Sequence, residues 1–319
     1  MKLKHSVMVS MLGRVADRFH EYHPVQDLAT RLDLASQVPG MDGIEIVYPS
    51  EFEHLEKTVH LIQGSGIPIS AVNLDVKGQK IWENGSFTSR NSDVRAHAIQ
   101  ELKIALDLAA ELGTDLVTCC PLIDGHNYCF EADYFHQWQY LVQGLGDGAS
   151  HRKDVRLSLE YKLNESRNFN LLSDIGRALY LCEIIGFPHV GVTLDIGHAL
   201  IAKETPAESL SLAAQAGRLF YIHFNDNGRD WDWDMLPASV NFWDTLETLF
   251  YMRRLDWEGW LSYDVYARGD ELVRSMGASI SVIKHVEAFL DKVGMERLQT
   301  LIDQGSPSGT FDTLIQAML

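Results

Sequence analysis

Short β-branched or apolar runs alternate along the chain with amphipathic stretches about 12–20 residues long. Eight runs read as strands: residues 6–11, 43–47, 68–73, 115–119, 156–161, 190–194, 219–224 and 259–264. Helical periodicity falls between them. It is clearest over 94–112, where Ile99, Leu102, Ala105, Leu106 and Ala109 recur at steps of three and four. Ser92 or Asp93 is predicted to cap that helix and Gly113 to stop it. The repeated alternation of strand and helix predicts an α/β chain folded as a single (β/α)8 TIM barrel over residues 1–293. Several strands are almost uniformly apolar, as strands covered on both faces are. Residues 294–319 read as a C-terminal helical extension outside the barrel and as a contact element for a homo-oligomer. Two loops are longer than the rest: 74–91, rich in Gly, Asn and Ser, and 225–240, rich in Asp and Trp.

Charge and composition narrow the functional classes. The 319 residues carry a net charge of -17, which argues against a nucleic-acid backbone as partner. No window is long and apolar enough for a membrane span. The start, MKLKHSVMVSMLGR, has no small-residue cleavage site and reads as a first strand. Cys119, Cys120, Cys129 and Cys182 show no metal-type CxxC spacing, so a reduced, cytoplasmic protein is expected.

In such a barrel, chemistry collects at the C-terminal ends of the strands. Strands one to four end in Ser10, Tyr48, Asn73 with Asp75, and Cys119 with Cys120. The other four are richer. Strand five ends in Glu160 and Lys162, which share a face because strand side chains alternate. Strand six ends in Asp195, with His198 three residues on. Strand seven carries His223, then Asn225, and its loop holds Asp230, Asp232 and Asp234. Strand eight ends in Asp264. Two carboxylates about 4 Å apart repel by roughly 4 kcal/mol at an effective dielectric near 20, so their convergence requires compensation. A divalent cation supplies it. Oxygen ligands with one or two imidazoles, and no thiolate, suit Mg²⁺, Mn²⁺ or Co²⁺, as one ion or two. His198, Asp232 and Asp234 are candidates for a second ion, bridged by Asp195.

These segments resemble the xylose isomerase superfamily, which includes rhamnose isomerase and ketose 3-epimerase relatives. LSLEYKLNESR is similar to its strand-five motif, through Glu160, Lys162, Asn164, Glu165 and Arg167. VGVTLDIGHALIA resembles its strand-six motif, an acid followed by a metal-binding His, here Asp195 and His198. HFNDNGRDWDWDM resembles its strand-seven loop, with Asp232 and Asp234 as the metal pair and His223 in a ligand position seen in rhamnose-isomerase-like and epimerase-like relatives. WENGSFTSRNSDVRAHAIQELKIALDLAAELGTD is similar to its Gly-Phe-Thr-Ser loop and following helix.

The resemblance implies a divalent-metal aldose–ketose isomerase working on a small-molecule sugar by hydride shift. The alternative is a ketose 3-epimerase, which passes a proton through an enediolate between Glu160 and Asp264. Glu160, Asp195, His223 and Asp264 would hold the first ion, and Lys162 would act on the sugar oxygen. Asn225, Trp82 and Phe87 are candidates to contact the sugar, the two aromatics as apolar walls or as loop anchors. Two positions depart from xylose isomerase: Val47 or Tyr48 replaces a histidine that serves ring opening, and Cys120 replaces a tryptophan wall. The expected substrate is therefore a small unphosphorylated tetrose, pentose or branched sugar such as apiose.

Overall fold

The computed structural model describes residues 2–266 and 268–319. Eight parallel strands close into a barrel. They are β1 (Leu3–Met8), β2 (Gly43–Tyr48), β3 (Ile69–Leu74), β4 (Leu116–Cys119), β5 (Arg156–Glu160), β6 (Val190–Asp195), β7 (Leu219–His223) and β8 (Gly259–Tyr263). Each pairs with its neighbour in sequence, and β8 closes on β1.

The helices are α1 (Leu28–Ser36), α2 (Leu55–Ser65), α3 (Ser92–Glu111), α4 (Tyr134–Ala149), α5 (Ile175–Ile185), α6 (Ile196–Ile201), α7 (Pro206–Gln215), α8 (Phe242–Arg254), α9 (Leu272–Val293), α10 (Met295–Asp303) and α11 (Pro307–Met318). Local chemistry sets their ends. Asp27 caps α1 through Thr30 N at 2.8 Å, and Asp133 caps α4 through Phe135 N and His136 N. The cap of α3 is Asn91, one residue ahead of the expected position, accepting from Asp93 N at 2.9 Å. Gly113 follows that helix with φ +79°, a conformation costly for any side chain.

Strand β1 begins three residues before the expected start. Lys4 and His5 look like a polar flank in sequence, yet both belong to the strand. The Lys4 ammonium sits 5.0 Å from the centre of the Trp260 ring, and His5 Nδ1 lies 2.9 Å from Tyr263 Oη. A one-turn 3-10 helix, Val9–Leu12, follows β1.

Loop 74–91 is held from below. Asp124 accepts from the backbone N–H groups of Ser86, Phe87 and Thr88 and from the Ser86 and Thr88 hydroxyls. After Gly294, α10 and α11 fold back on the chain's own barrel, where Phe311 meets Trp243 of α8 edge-on at 5.3 Å. No helix of the described residues is long and apolar enough to cross a membrane.

The barrel interior is polar in layers. Low down, Ser70 Oγ joins Ser6 Oγ at 2.6 Å and Tyr221 Oη at 2.7 Å. Higher up sits Glu45, wholly buried in the middle of β2. Its Oε1 accepts from Asn73 Nδ2 (3.1 Å) and Thr118 Oγ1 (2.8 Å), and its Oε2 from Ser262 Oγ (2.7 Å).

Candidate metal centre

Strand register assembles the site at the C-terminal mouth. Asp195, the last residue of β6, pairs directly with His223, the last residue of β7. Glu160 ends β5 opposite Thr193, two residues below Asp195. Asp264 follows β8 immediately. Asp195 also caps α6, with Oδ1 accepting from His198 N at 2.8 Å, and that turn brings the His198 ring back over the barrel. Gly197 makes the turn possible, because a Cβ there would stand 2.2 Å from Asn225 Oδ1.

His223 stands at the centre. Its Nδ1 lies 3.3 Å from Glu160 Oε2, 3.8 Å from Asp195 Oδ2 and 3.7 Å from Asp264 Oδ2. Ligand atoms of Glu160, Asp195 and His223 fall within 4.8 Å of one another, all buried. On the other side of the ring, Nε2 is 3.0 Å from Glu45 Oε2. His198 repeats the arrangement. Its Nδ1 is 3.0 Å from Glu160 Oε1, and its Nε2 is 3.1 Å from Asp232 Oδ2. Each ring thus gives Nε2–H to a carboxylate behind it and turns Nδ1 inward, as metal-binding imidazoles do.

The orphaned atoms test this fit to a cation. His198 Nδ1, His223 Nδ1, Asn225 Oδ1 and Asp232 Oδ1 are all buried without a hydrogen-bond partner. The two imidazole nitrogens lie beside the carboxylates of Glu160, Asp195 and Asp264, and leaving such lone pairs buried and unpaired is costly unless a cation or protons satisfy them. The donor set of carboxylate oxygens and imidazole nitrogens fits a divalent ion.

Electrostatics agree. Burial opposes charge on both imidazoles, yet the surrounding carboxylates win and raise His198 and His223 well above the usual value. Burial pushes the Asp264 carboxyl well above its usual range, and nearby Asp195 adds to the shift. Asp234 rises likewise through burial, then Asp232 and Asp264. Burial also pushes Glu160 upward, but His223 and His198 outweigh it and hold its carboxylate well below the usual range. The clustered carboxylates thus favour positive charge at this mouth.

Lys162 is buried and clamped as a cation. Its Nζ lies 2.9 Å from Asp232 Oδ2 and also pairs with Glu165. Burial disfavours its charge, but these two carboxylates raise its pKa above the normal lysine range. Asn225 Nδ2 donates to Asp264 Oδ1 (3.0 Å) and Asp195 Oδ2 (3.2 Å) and approaches Asp234 Oδ1 at 3.4 Å. Its amide N–H groups are thus committed to carboxylates, leaving its carbonyl oxygen free.

The structure gathers Glu160, Lys162, Asp195, His198, His223, Asn225, Asp232 and Asp264 in one place. It commits Asp232 to His198 and Lys162. Asp234 is half-buried at φ +45°; its Oδ1 reaches the same Asn225 amide at 3.4 Å, and its carbonyl accepts from Tyr266 N at 2.8 Å. Trp82 and Phe87 show essentially no surface. Trp82 stacks on His97 of α3 at 5.2 Å, and Phe87 packs against Gly144 of α4, so both tie the loop to these helices.

One residue was not foreseen, and another, Cys120, was placed at a strand end but given no part in the ligand set. Glu45 lies mid-strand, where a search of strand ends does not look; its signal is one acid inside the apolar run GIEIVY. Cys120 corrects the expectation of a site with no thiol nearby, since its Sγ lies within 4.8 Å of ligand atoms of Glu160 and His198.

The model of the xylose isomerase-like TIM barrel family matches residues 32–292. A curated relative, the xylose isomerase of Thermus thermophilus, is 24% identical over 209 residues, covering 64% of this chain and 54% of that protein. The chain thus spans about half the length of that relative. A D-tagatose 3-epimerase-like protein superposes with TM-score 0.69 at 19% identity, covering 90% of this chain and 98% of its own. A 3-keto-D-glucoside 4-epimerase from E. coli superposes with TM-score 0.68 at 15% identity (89% and 99%). An L-ribulose 3-epimerase does so with TM-score 0.64 at 20% identity (96% and 97%). At these identities the superpositions speak for the fold. The family match spans most of the barrel and includes every residue of the mouth, so the chain belongs to the xylose isomerase-like TIM barrel family.

Proposed function

We propose that this chain is a divalent-metal sugar isomerase interconverting an aldose and a ketose, with Glu160, Asp195, His223 and Asp264 holding the ion. The observation that carries the reading is Lys162, a buried ammonium fixed by Asp232 and Glu165 at the edge of the ligand cluster. Isomerisation moves a hydride from C2 to C1 of the aldose, while the C2 hydroxyl proton passes to O1. A bound divalent ion would polarise the two oxygens and stabilise the charge that develops on them. Lys162, charged at any working pH, donates to the oxygen that gains charge. Asn225 holds Asp195 and Asp264 in place through its amide N–H groups. Glu45 keeps the His223 ring oriented through Nε2.

An unphosphorylated sugar is favoured by charge. Lys162 is already neutralised by two carboxylates, and Arg229 turns outward to Asp244 at 2.6 Å. A phosphate dianion would find little positive charge among the described residues of this mouth. Small furanose or branched sugars suit a site whose second strand ends in Val47 and Tyr48, without a histidine for ring opening.

One observation favours a second reading, a ketose 3-epimerase. Glu160 and Asp264 face His223 Nδ1 from separate strands, and their pKa values are pushed in opposite directions, as in an acid–base pair. Proton NMR in D₂O decides between the two. The chelated protein, restored with Mn²⁺, is expected to convert an aldose to a ketose without deuterium entering the product. Deuterium at C3 of a ketose would establish the epimerase instead. Absence of turnover on tetroses, pentoses and branched sugars would overturn both.

A further inference from the structure

We propose that Cys120 Sγ, Glu160 and His198 Nδ1 form a second cation position, one that takes a thiophilic divalent ion such as Zn²⁺ or Co²⁺. It deepens the metal reading of the site and does not depend on which sugar reaction the site performs. Ligand atoms of the three residues lie within 4.8 Å of one another, and all three side chains are buried.

Two features of His198 point to an ion there. Its Nδ1 has no hydrogen-bond partner although it is buried, and it lies 3.0 Å from Glu160 Oε1. That separation is close to the ~3.3 Å between two ligands at ~2.0–2.1 Å from one tetrahedral ion. Its other nitrogen is held by Asp232 at 3.1 Å, a carboxylate behind a ligating imidazole.

Glu160 supplies the link between positions. Its Oε1 faces His198 and its Oε2 faces His223 at 3.3 Å, so one carboxylate serves both. The two sets differ in softness. Glu160, Asp195, His223 and Asp264 offer oxygens and one nitrogen, whereas the second set offers sulfur, nitrogen and one oxygen. Thiolate sulfur favours Zn²⁺ and Co²⁺ over Mg²⁺. Cys119 and Cys182 are also buried and unbonded, but neither belongs to a ligand cluster among the described residues. Binding would release the Cys120 thiol proton to solvent, since a coordinating thiol is deprotonated. Three protein ligands leave a further coordination position for solvent or a substrate oxygen.

Cobalt spectroscopy tests this directly. The full chain, reduced and stripped with chelator, is titrated with Co²⁺ while the near-ultraviolet sulfur-to-cobalt charge-transfer band is followed. The wild type is expected to show the band, C129S to keep it, and C120S to lose it. Zn²⁺ affinity at this position should fall in C120S by at least the ~10–100-fold that loss of an outer-shell partner costs. Co²⁺ binding without a sulfur band, or a band that persists in C120S, would overturn the thiol position and leave the proposed function intact. No Co²⁺ binding at all would overturn both. If C120S does not fold, cadmium-113 NMR of the wild type decides, through the presence or absence of a sulfur-shifted resonance.

Discussion

Two parts of the molecule bury histidines in opposite ways. On the outer face of β1, His5 meets Tyr263 Oη at 2.9 Å, and burial with nearby Lys284 of α9 lowers its pKa to about 4. At the C-terminal mouth, His198 and His223 are equally buried, but carboxylates surround them and their pKa values rise well above normal. Burial alone makes a neutral, structural imidazole. Burial among acids makes one that must bind either a proton or a cation. The difference separates the packed layer between β1 and the helices from the reactive mouth of the barrel.

The largest effect is expected from removing a mouth ligand. His223→Ala or Asp195→Asn should lower turnover by about 10²–10³-fold or more, the loss typical when transition-state stabilisation is deleted. Steady-state rates at saturating Mn²⁺, with circular dichroism confirming the fold, check this. His5→Gln should leave those rates unchanged.

Next comes the group behind the ligand. Glu45→Leu removes the acceptor for His223 Nε2, and Mn²⁺ affinity should weaken by ~10–100-fold. Competition with a chelating dye measures it. Equal affinity in the variant would mean that Glu45 is only a core polar residue.

The pH responses of the two histidine environments should tilt in opposite directions. Without metal, the raised pKa values of His198 and His223 contribute stability that is complete below about pH 6.5 and is lost as pH rises through the folded values. The lowered value of His5 contributes stability that is present above about pH 6.5 and is lost as pH falls toward 4. Mn²⁺ competes with the mouth protons, so its affinity should rise with pH by about tenfold per unit for each proton displaced. Calorimetric titrations in buffers of different ionisation enthalpy report the number of protons released.

The smallest effect belongs to the outer layer. His5→Gln should cost about 1 kcal/mol, the worth of one buried hydrogen bond, with a shallower loss of stability on the acid side. Urea melts at several pH values measure both.

Much of the mouth is legible from sequence because strand ends and short spacings carry it. Glu160 and Lys162 share a face by strand alternation, and Asp195 with His198 follow from a strand leading into a helical turn. What escapes is whatever depends on the third dimension. Glu45 lies in mid-strand and reaches β3, β4, β7 and β8 across the barrel, a convergence that no local pattern encodes. Cys120 reads as a strand-end residue in a wall position, and only barrel closure shows its nearness to Glu160. Trp82 and Phe87 read equally well as walls or anchors, and in the structure they pack against α3 and α4. The early start of β1 rests on Trp260 and Tyr263, distant partners that make Lys4 and His5 strand residues.

The central claim is that the mouth is built around a divalent cation. Calorimetric titration of Mn²⁺ into the chelator-stripped full chain tests it most directly, paired with thermal unfolding of the same samples. The account predicts saturable binding of at least one ion per chain, a Tm that climbs with Mn²⁺ concentration as mass action requires, and loss of both in Glu160→Gln. No heat of binding and no shift in Tm with Mn²⁺, Mg²⁺ or Co²⁺ would contradict it.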